Sequence, residues 1–412
     1  MLRTLTLCSF ALPLLSGAAR AQTSWTVDDN GPADFATIAA AVGSALVHDG
    51  DVLLVEPGSY GAFTTSKDLA IVGNEGGAKP SVSGESHVDN VDSFTLAGLD
   101  LFELRVLGAA GRVAIEDCEI GHESKVGSGA YETFVIEDCA EVVVSNALLQ
   151  GKIGDETTYV ESPGVNIRNS HVAVVNCEIH GGEGADAFLT GLPGEAGVDI
   201  EDGSLVVIAA CSITGGSGGS GVKICSSFGA SAIRVSDSAL WVKGKASHVL
   251  DSGENCPPGD NYAISGSAAD VVASGVTLEN PPFSPALTIG GSLSQPSPPE
   301  PFLTVTGEPA PPGPRRLNLY GPAGSVALVL VSLQPLYATL PKIQGGPLWL
   351  DPAGQVVSLQ VPLTGQSVSV NVLFPLPATG DFAGFTAWLQ AFVPAGGAKW
   401  LAMNPGSIVL RF

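Results

Sequence analysis

The stretch "VAVVNCEIHGG", residues 172–182, opens with a strand-like apolar run, breaks at an Asn, and resumes with a Cys and an Ile. Period-two placement of apolar residues indicates short β-strands, and the break indicates a corner between them. Related units recur roughly every 30 residues, which is typical of stacked repeats whose coils bury apolar faces against one another. The clearest of these units are "VAIEDCEIG" (113–121), "VVVSNALLQG" (142–151) and "VVIAACSITGG" (206–216).

The corners carry a residue type that suits a left-handed backbone. Asp117, Asn146 and Asn176 occupy the break in three of the units. Asn, Asp and Gly tolerate that conformation best, so we expect the chain to turn there. A second, shorter pattern precedes several units and predicts a further strand in each coil: "GVNI" (164–167), "GVDI" (197–200) and "GVKI" (221–224).

These repeats resemble those of the secreted right-handed parallel β-helix proteins of the pectin-lyase-like class. The stretch "DFATIAAAVGSALVHDGDVLLVEPGSY" (34–60) adds to the resemblance, because many members open with such a phrase. The resemblance implies an all-β chain with a right-handed parallel β-helix over about 22–290. It implies little about activity, because this fold hosts lyases, hydrolases, esterases, adhesins and inert scaffolds alike.

The opening stretch also predicts an N-terminal capping helix. Phe35, Ile38, Val42 and either Ala45 or Leu46 would share one helix face. That face would cover the first coil and hide its unpaired strand edges.

Composition divides the chain into four segments. Residues 1–21 have the positive start, apolar middle and small-residue end of an export signal, which predicts a secreted protein. Residues 22–291 form the β-helix domain, and the Pro- and Ser-rich residues 292–301 favour an extended linker. Residues 302–412 contain at least seven strand-like runs separated by turns, which predicts an antiparallel β-sandwich. Three roles of this segment are left open: a cap on the far end of the stack, sorting, or binding.

The charge balance limits the partners. The chain has 41 acidic against 18 basic residues and a formal net charge of −23. Nucleic acid and anionic membranes both demand concentrated Lys and Arg, so neither is an expected partner. After the signal there is no apolar run of roughly 18 residues, so no membrane span is predicted. The expected partner is a polysaccharide or a cell-envelope component.

The second strand pattern yields the candidate site. Alternation along each strand turns one set of side chains outward, and neighbouring coils stack about 4.8 Å apart. Two outward columns follow, one of Glu137, Arg168 and Glu201 and the other of Asn166, Asp199 and Lys223.

Two interpretations of these columns remain open. In an enzyme, Asp199 and Glu201 would be an acid/base pair, with Arg168 or Lys223 binding a substrate carboxylate. In a scaffold, the alternating charges would be a ladder of ion pairs. A tight contact between Arg168 and Glu201 would favour the ladder.

One segment fits a calcium-binding pattern. "GGEGADAFL" (181–189) matches G-G-x-G-x-D-x-U-x, with Asp186 and Glu183 as carboxylates. Such sites need tandem copies and only one occurs here, so a Gly-rich loop between coils is the alternative. No other cofactor is predicted.

The cysteines fall into two groups. Cys118, Cys177 and Cys211 take an inward position after the corner, where a thiol packs as a small apolar group. Cys225 and Cys256 begin and end a long excursion, and we expect a disulfide between them. The redox state of Cys118, Cys139, Cys177 and Cys211 is left open.

The sequence therefore carries two functional hypotheses. The first is a non-catalytic extracellular or cell-envelope scaffold that binds or decorates a surface polymer, such as a carbohydrate, or another envelope protein. The second is a polysaccharide lyase or glycoside hydrolase that uses the outer strand face. The absence of a full catalytic signature favours the first.

Overall fold

The chain is almost entirely β-structure. The predicted signal, residues 1–21, lies outside the part of the chain that the structure describes. The structure, a computed structural model, describes residues 23–74, 78–121, 132–152, 162–185, 192–219, 229–243, 248–250, 262–278, 287–296, 300–306, 315–332, 335–338, 343–344, 348–350, 355–365, 368–372, 386–396 and 399–409.

Within these described residues, the first part of the chain contains one short helix, α1 (Ile38–Gly43), and twenty-five strands joined into one parallel sheet. The strands are β1 (Ser24–Val27), β2 (Val52–Val55), β3 (Ser59–Gly61), β4 (Thr64–Thr65), β5 (Ala70–Gly73), β6 (Ser81–Asp89), β7 (Ser93–Ala97), β8 (Asp100–Leu107), β9 (Arg112–Glu116), β10 (Glu119–Ile120), β11 (Phe134–Glu137), β12 (Glu141–Ser145), β13 (Leu148–Gln150), β14 (Val165–Arg168), β15 (His171–Val175), β16 (Glu178–His180), β17 (Val198–Glu201), β18 (Leu205–Ala209), β19 (Ser212–Thr214), β20 (Ile233–Ser236), β21 (Ala239–Lys243), β22 (His248–Leu250), β23 (Ile264–Ser274), β24 (Thr277–Leu278) and β25 (Leu287–Ser294).

Each coil contributes a strand to three faces. Sheet 1 contains β2, β5, β7, β9, β12, β15, β18 and β21. Sheet 2 contains the start of β8 with β10, β13, β16, β19 and β22. Sheet 3 contains the end of β8 with β11, β14, β17, β20 and the start of β23. This arrangement confirms the predicted parallel β-helix.

The interior of the coils is a continuous stack of aliphatic side chains. Val142, Val172 and Val206 follow one another in register on sheet 1, and all three are fully buried. Cys118, Cys139, Cys177 and Cys211 are buried and form no disulfide within the described residues, and the first, third and fourth lie inward as predicted. Burial raises the pKa of Cys177 well above its ordinary value, so this thiol is held as an apolar group.

The corners between sheets 1 and 2 adopt the predicted left-handed conformation. Asp117, Asn146 and Asn176 have φ angles of 52°, 54° and 54°. The Asn176 side chain donates a hydrogen bond of 2.7 Å to the amide oxygen of Asn146, one coil earlier. Ala210 takes the same corner position in the next coil, with φ 55°, but it has no amide to continue this ladder.

The helix α1 closes the N-terminal end of the stack. Thr37 caps it by accepting a hydrogen bond from the backbone of Ala40, and Ile38, Ala41 and Val42 are buried. The predicted contribution of Ala45 or Leu46 is wrong, because the helix ends at Gly43 and the chain then leaves the helical phase. Both side chains are exposed, Leu46 by 62%, and Val47 is buried in their place.

The second part of the chain is antiparallel except for one short parallel pair, and its strands form sheets around a separate apolar cluster. It confirms the predicted sandwich. The strands are β26 (Phe302–Thr306), β27 (Arg315–Tyr320), β28 (Val326–Ser332), β29 (Pro335–Ala338), β30 (Ile343–Gln344), β31 (Leu348–Leu350), β32 (Gln355–Pro362), β33 (Val368–Val372), β34 (Thr386–Gly396) and β35 (Lys399–Val409).

The sandwich lies along the side of the β-helix and packs against the outer face of sheet 1. Strand β35 contacts β9, β12, β15 and β18. This strand therefore lies beside the coils of the stack. The physical reason lies in the small or apolar outward side chains of sheet 1, which offer a flat surface. Trp388 and Val409 pack there against Val52, Ala97, Ala114, Val143 and Ala173.

Strand β25 extends into the segment predicted to be a linker. Ser292, Leu293 and Ser294 pair with β23, so the parallel sheet continues into the segment 292–301. Glu300 then returns to the β-helix through a backbone hydrogen bond of 2.5 Å to Ser274. The division into two domains at this segment stays a prediction.

Buried ion pairs join the β-helix to the sandwich and to the segment that precedes the sandwich. Arg315 lies 3.3 Å from Glu116, and both side chains are at least 96% buried. The Glu116 carboxylate also accepts a 2.6 Å hydrogen bond from the backbone of Val409. Lys243, fully buried, lies 2.9 Å from Glu300. These pairs fix the lateral position of the sandwich, because a charge left unpaired in such a site is strongly destabilising.

A third buried pair lies beneath the sandwich. Arg112 bonds Glu141 on the adjacent coil, and the guanidinium lies 3.9 Å from the centre of the Trp388 ring. Burial raises the pKa of Glu141 to about 7, although the positive charge of Arg112 opposes part of this effect. The folded protein therefore binds a proton at Glu141 more tightly than the unfolded chain does.

We predict that replacing Ala210 by Asn stabilises the fold by about 1 kcal/mol. The substitution relieves the cost of a left-handed Ala and extends the ladder from Asn176. Urea unfolding of the wild type, Ala210→Asn and Ala210→Gly measures the effect. The Gly variant relieves only the backbone, so the difference between the variants gives the amide contribution. A loss of stability in both variants would contradict the assignment of this corner.

We also predict a pH dependence that originates at Glu141. Because the folded-state pKa is raised, its stabilising contribution is full below about pH 4.5 and is lost as the pH rises through about 7. The Glu141→Gln variant should therefore lose less stability between pH 5 and pH 8 than the wild type, by up to about 3 kcal/mol. Thermal unfolding across this range measures it, with Glu183→Gln on the exposed surface as control. Equal slopes in both proteins would refute the raised pKa.

Candidate functional site

The outer face of sheet 3 carries the two predicted columns. Glu137 pairs in register with Arg168, and Arg168 with Glu201, which confirms the first column. Asn166 pairs in register with Asp199, as predicted for the second. The alternation of each strand turns these side chains away from the buried Val and Ile residues.

The second column continues with a residue that the sequence pattern did not select. Strand β20 is the neighbour of β17, and its Arg234 pairs in register with Asp199. Lys223 was predicted at that position and lies outside the described residues. The prediction placed the next strand at "GVKI", whereas the strand that pairs with β17 is "IRVS" (233–236). Both stretches have the same alternation, so the pattern could not separate them.

Arg168 is the centre of a network of carboxylates. Its guanidinium lies 2.5 Å from Glu132 and 3.3 Å from Glu201, and Glu137 is 3.9 Å away. Glu132 also accepts a 2.8 Å hydrogen bond from Asn166. Burial acts against the charge of Arg168, but the hydrogen bonds that Arg168 donates to Glu132 and Glu201 outweigh this effect and raise its pKa. Arg168 is thus held in place by carboxylates above and below it.

Asp199 is bound more tightly still. Arg234 donates to both of its oxygens, at 3.0 and 2.5 Å, and reaches Glu195 at 3.2 Å. The hydrogen bond to Asp199 is the main cause that raises the pKa of Arg234. Since Asp199 is only 2% exposed, its carboxylate is hidden from a substrate as well as neutralised.

These contacts bear on the two interpretations of the columns. A general acid or base needs a carboxyl group within hydrogen-bond reach of a substrate atom. Asp199 is buried in a bidentate ion pair, and Glu201 faces Arg168 at 3.3 Å. The contact named above as favouring a charge ladder is therefore present.

The calcium pattern falls partly outside the described residues. Asp186 lies there, and Glu183 has an exposed side chain. Over the described ranges there is no cluster of three or more His, Cys, Asp or Glu residues that could hold a metal ion. Close backbone packing between coils explains why glycine occupies positions 182 and 216. A Cβ on Gly182 would lie 2.1 Å from the carbonyl oxygen of Lys152, and one on Gly216 would lie 1.9 Å from that of Gly182. Backbones of successive coils thus stack too closely for side chains.

The predicted disulfide between Cys225 and Cys256 also lies outside the described residues, and the pairing stays a prediction.

A separate polar pocket lies at the junction of sheets 2 and 3, where the sequence pattern made no assignment. Glu103 and Lys152 face each other across it, with the ammonium nitrogen 3.7 Å from a carboxylate oxygen. Both side chains are 8% exposed. The sequence does contain a signal for this buried charge, because Glu103 interrupts the apolar run "LFELRVL" (101–107). It was missed because β8 is one continuous strand across two faces, without the corner that marks later coils.

Comparisons with known proteins yield distant structural neighbours. No known protein family matches the sequence, and no curated protein matches it. One solved structure with a similar chain is the full-length tailspike protein 2 of the Escherichia coli O157:H7 bacteriophage CAB120, at 10% identity and a TM-score of 0.33. The alignment covers 87% of this chain and 64% of the tailspike, so the chain spans less than two thirds of that protein.

The enzymatically active domain of the bacteriophage CBA120 tailspike protein 2 gives the same identity and TM-score. The alignment covers 87% of this chain and 72% of that domain. Similarity at this level assigns no activity to the chain. Within the described residues, the structure contains no helix of the length and apolarity needed to cross a bilayer.

We predict that the two arginines of this face contribute unequally to stability. Arg234→Met leaves the buried carboxylate of Asp199 without its bidentate partner, and we expect a loss of about 2 kcal/mol. Arg168→Met leaves carboxylates that water still reaches, and we expect about 1 kcal/mol or less, decreasing with added salt. Urea unfolding at low and high salt tests both. An equal loss, or a larger one for Arg168, would contradict the difference in burial.

Proposed function

We propose that the protein is a non-catalytic extracellular or cell-envelope scaffold that binds a neutral polysaccharide along the outer face of sheet 3. The observation that carries the proposal is the engagement of both candidate carboxylates in ion pairs with arginines of neighbouring coils. Such a face presents fixed hydrogen-bonding groups to a ligand while leaving no unpaired acid and base to act on it.

The spacing of the columns suits a polymer. Coils stack at about 4.8 Å, so equivalent side chains repeat along the long axis of the β-helix. Arg168 and Glu201 keep 28% and 38% of their side-chain surface exposed, and Arg234 keeps 46%. These groups have remaining donors and acceptors for sugar hydroxyls.

The charge balance supports a neutral ligand. A net charge of −23 repels polyanions over the whole surface. Among the described residues of sheet 3, Arg168 and Arg234 are already neutralised by carboxylates, so they form no basic patch that overrides this field.

The proposal also includes secretion of the protein. The export signal at 1–21 and a disulfide between Cys225 and Cys256 both belong to a secreted protein, since disulfides persist in oxidising compartments. The β-sandwich would serve as a lateral support of the β-helix, because its strand β35 packs on sheet 1, a different face from the one proposed to bind the ligand.

A binding and degradation screen tests the function. The full mature chain is applied to a panel of neutral and acidic polysaccharides, with and without calcium, and both binding and released products are measured. We expect binding to at least one neutral polymer without release of products. Glu201→Gln should leave the absence of turnover unchanged.

Two results would overturn the proposal. Product release that Glu201→Gln abolishes would establish a polysaccharide lyase or hydrolase. Absence of binding to every polymer would remove the carbohydrate-binding role. A Glu178→Gln variant on sheet 2 serves as the matched control for the loss of one exposed carboxylate.

A further inference from the structure

Cys177 and Cys211 occupy the same corner position on two successive coils. The strands before the corner pair up to two residues before each cysteine, and the strands after it pair from the next residue onward. The backbone of Ser212 also donates a 3.0 Å hydrogen bond to the carbonyl oxygen of Cys177. The two corners therefore have equal length, and one cysteine stacks directly on the other.

The distance between the two residues suits a disulfide. Neighbouring strands of a sheet lie about 4.8 Å apart, and Cα atoms joined through a disulfide lie about 4.4–6.8 Å apart. The sulfur of Cys211 points toward the preceding coil, because it accepts a 3.4 Å hydrogen bond from the backbone of Cys177. The side chains of the two cysteines are also hydrogen-bonded to each other, so their sulfurs are neighbours.

Among the described residues, no other two cysteines are stacked in this way. Cys118 lies two coils before Cys177, with Ala147 on the coil between them. Cys139 lies at the corner between sheets 3 and 1, and Ser170 takes its position on the next coil. Cys118 and Cys139 are therefore internal controls, since each is buried but has no sulfur stacked on it from the next coil.

We propose that Cys177 and Cys211 form a disulfide that cross-links these two coils as the protein folds. Two protons and two electrons pass from the cysteines to a small disulfide such as oxidised glutathione, which is reduced to two thiols. The thiolate of one cysteine attacks the small disulfide and releases its first thiol. The other cysteine then attacks the mixed disulfide, which forms the bond between the coils and releases the second thiol.

Burial places this reaction before the coils close. The side chains of Cys177 and Cys211 are 3% and 0% exposed in the folded protein. Burial also raises the pKa of Cys177 well above its ordinary value. The thiolate that attacks a disulfide is therefore both disfavoured and inaccessible once the coils have formed. An oxidant that is present during folding sets the bond, and the closed coils then retain it.

The cross-link joins the two coils that carry the first charged column. Cys177 belongs to the coil of Arg168, and Cys211 belongs to the coil of Glu201. A bond between them closes the intervening chain into a loop and lowers the entropy of the unfolded state. It also opposes a shift of register between β14 and β17, on which the contact between Arg168 and Glu201 depends.

Peptide mapping tests the bond directly. Residues 22–412 are synthesised in vitro in a buffer of reduced and oxidised glutathione, and in parallel in reduced glutathione alone. Each product is alkylated in urea and digested with trypsin and a glutamate-specific protease, which cuts the chain between the two cysteines. We expect the peptides 169–178 and 202–223 to be joined in the oxidised sample only, with a mass lower by two hydrogens than their sum.

The same digest contains the controls. Cys118 and Cys139 should be recovered as alkylated thiols from the oxidised sample, whose folding is shown by a cooperative thermal transition. Recovery of Cys177 and Cys211 as alkylated thiols from that folded sample overturns the proposal. Joining of Cys118 or Cys139 to another cysteine at the same frequency overturns it as well.

Thermal unfolding measures the effect of the cross-link. The rise in Tm from the reduced to the oxidised sample should be larger in the wild type than in Cys211→Ala, by about 4 °C. Comparing the two rises cancels the contribution of a disulfide between Cys225 and Cys256, which both proteins retain. Cys118→Ala, which removes a buried thiol outside the pair, should keep the wild-type rise.

An equal rise in the wild type and Cys211→Ala counts against the cross-link. Should Cys211→Ala fail to fold, Cys177→Ala replaces it, because Ala147 already occupies that corner position one coil earlier. The peptide map of the wild type depends on neither variant. Carbohydrate plays no part in these measurements, so their failure leaves the proposed function standing.

Discussion

The hydrogen-bonded register between successive coils is the constraint on which the rest of the structure depends. Because each strand pairs with the equivalent strand of the next coil, every side chain has a fixed neighbour above and below it. Inward, this places aliphatic residue on aliphatic residue. At the corners it places Asn176 over Asn146, and on sheet 3 it places Arg168 between two glutamates. A slip of one residue would bury the charges and expose the core.

The same register explains what the sequence could and could not predict. Corner residues and the Glu137, Arg168 and Glu201 column follow from local alternation, which repeats within each coil. Arg234 could not be found in this way, because the alternation of the strands does not determine how many residues separate β19 from β20. The Glu103 and Lys152 pocket was missed for a related reason, since its two charged residues come from different coils and meet only through the stacking.

The position of the sandwich could not be predicted from either half of the sequence alone. Outward Ala114, Val143 and Ala173 on sheet 1 are uninformative one at a time. They form an apolar surface only when the coils align them. Buried charges then set the position on that surface, since Arg315 must find Glu116 and Lys243 must find Glu300. Burying such pairs adds less to stability than to the choice of one docking arrangement.

The lateral contact also changes how the β-helix should come apart. In a solenoid each coil touches only its neighbours, so terminal coils can fray while the middle persists. Here the sandwich reaches from Thr386, bonded to Thr95 on β7, to Ala402, bonded to Lys243 on β21. Coils that are distant along the stack thereby share one partner. The sandwich couples them into a single cooperative unit, so their unfolding is tied to its own release.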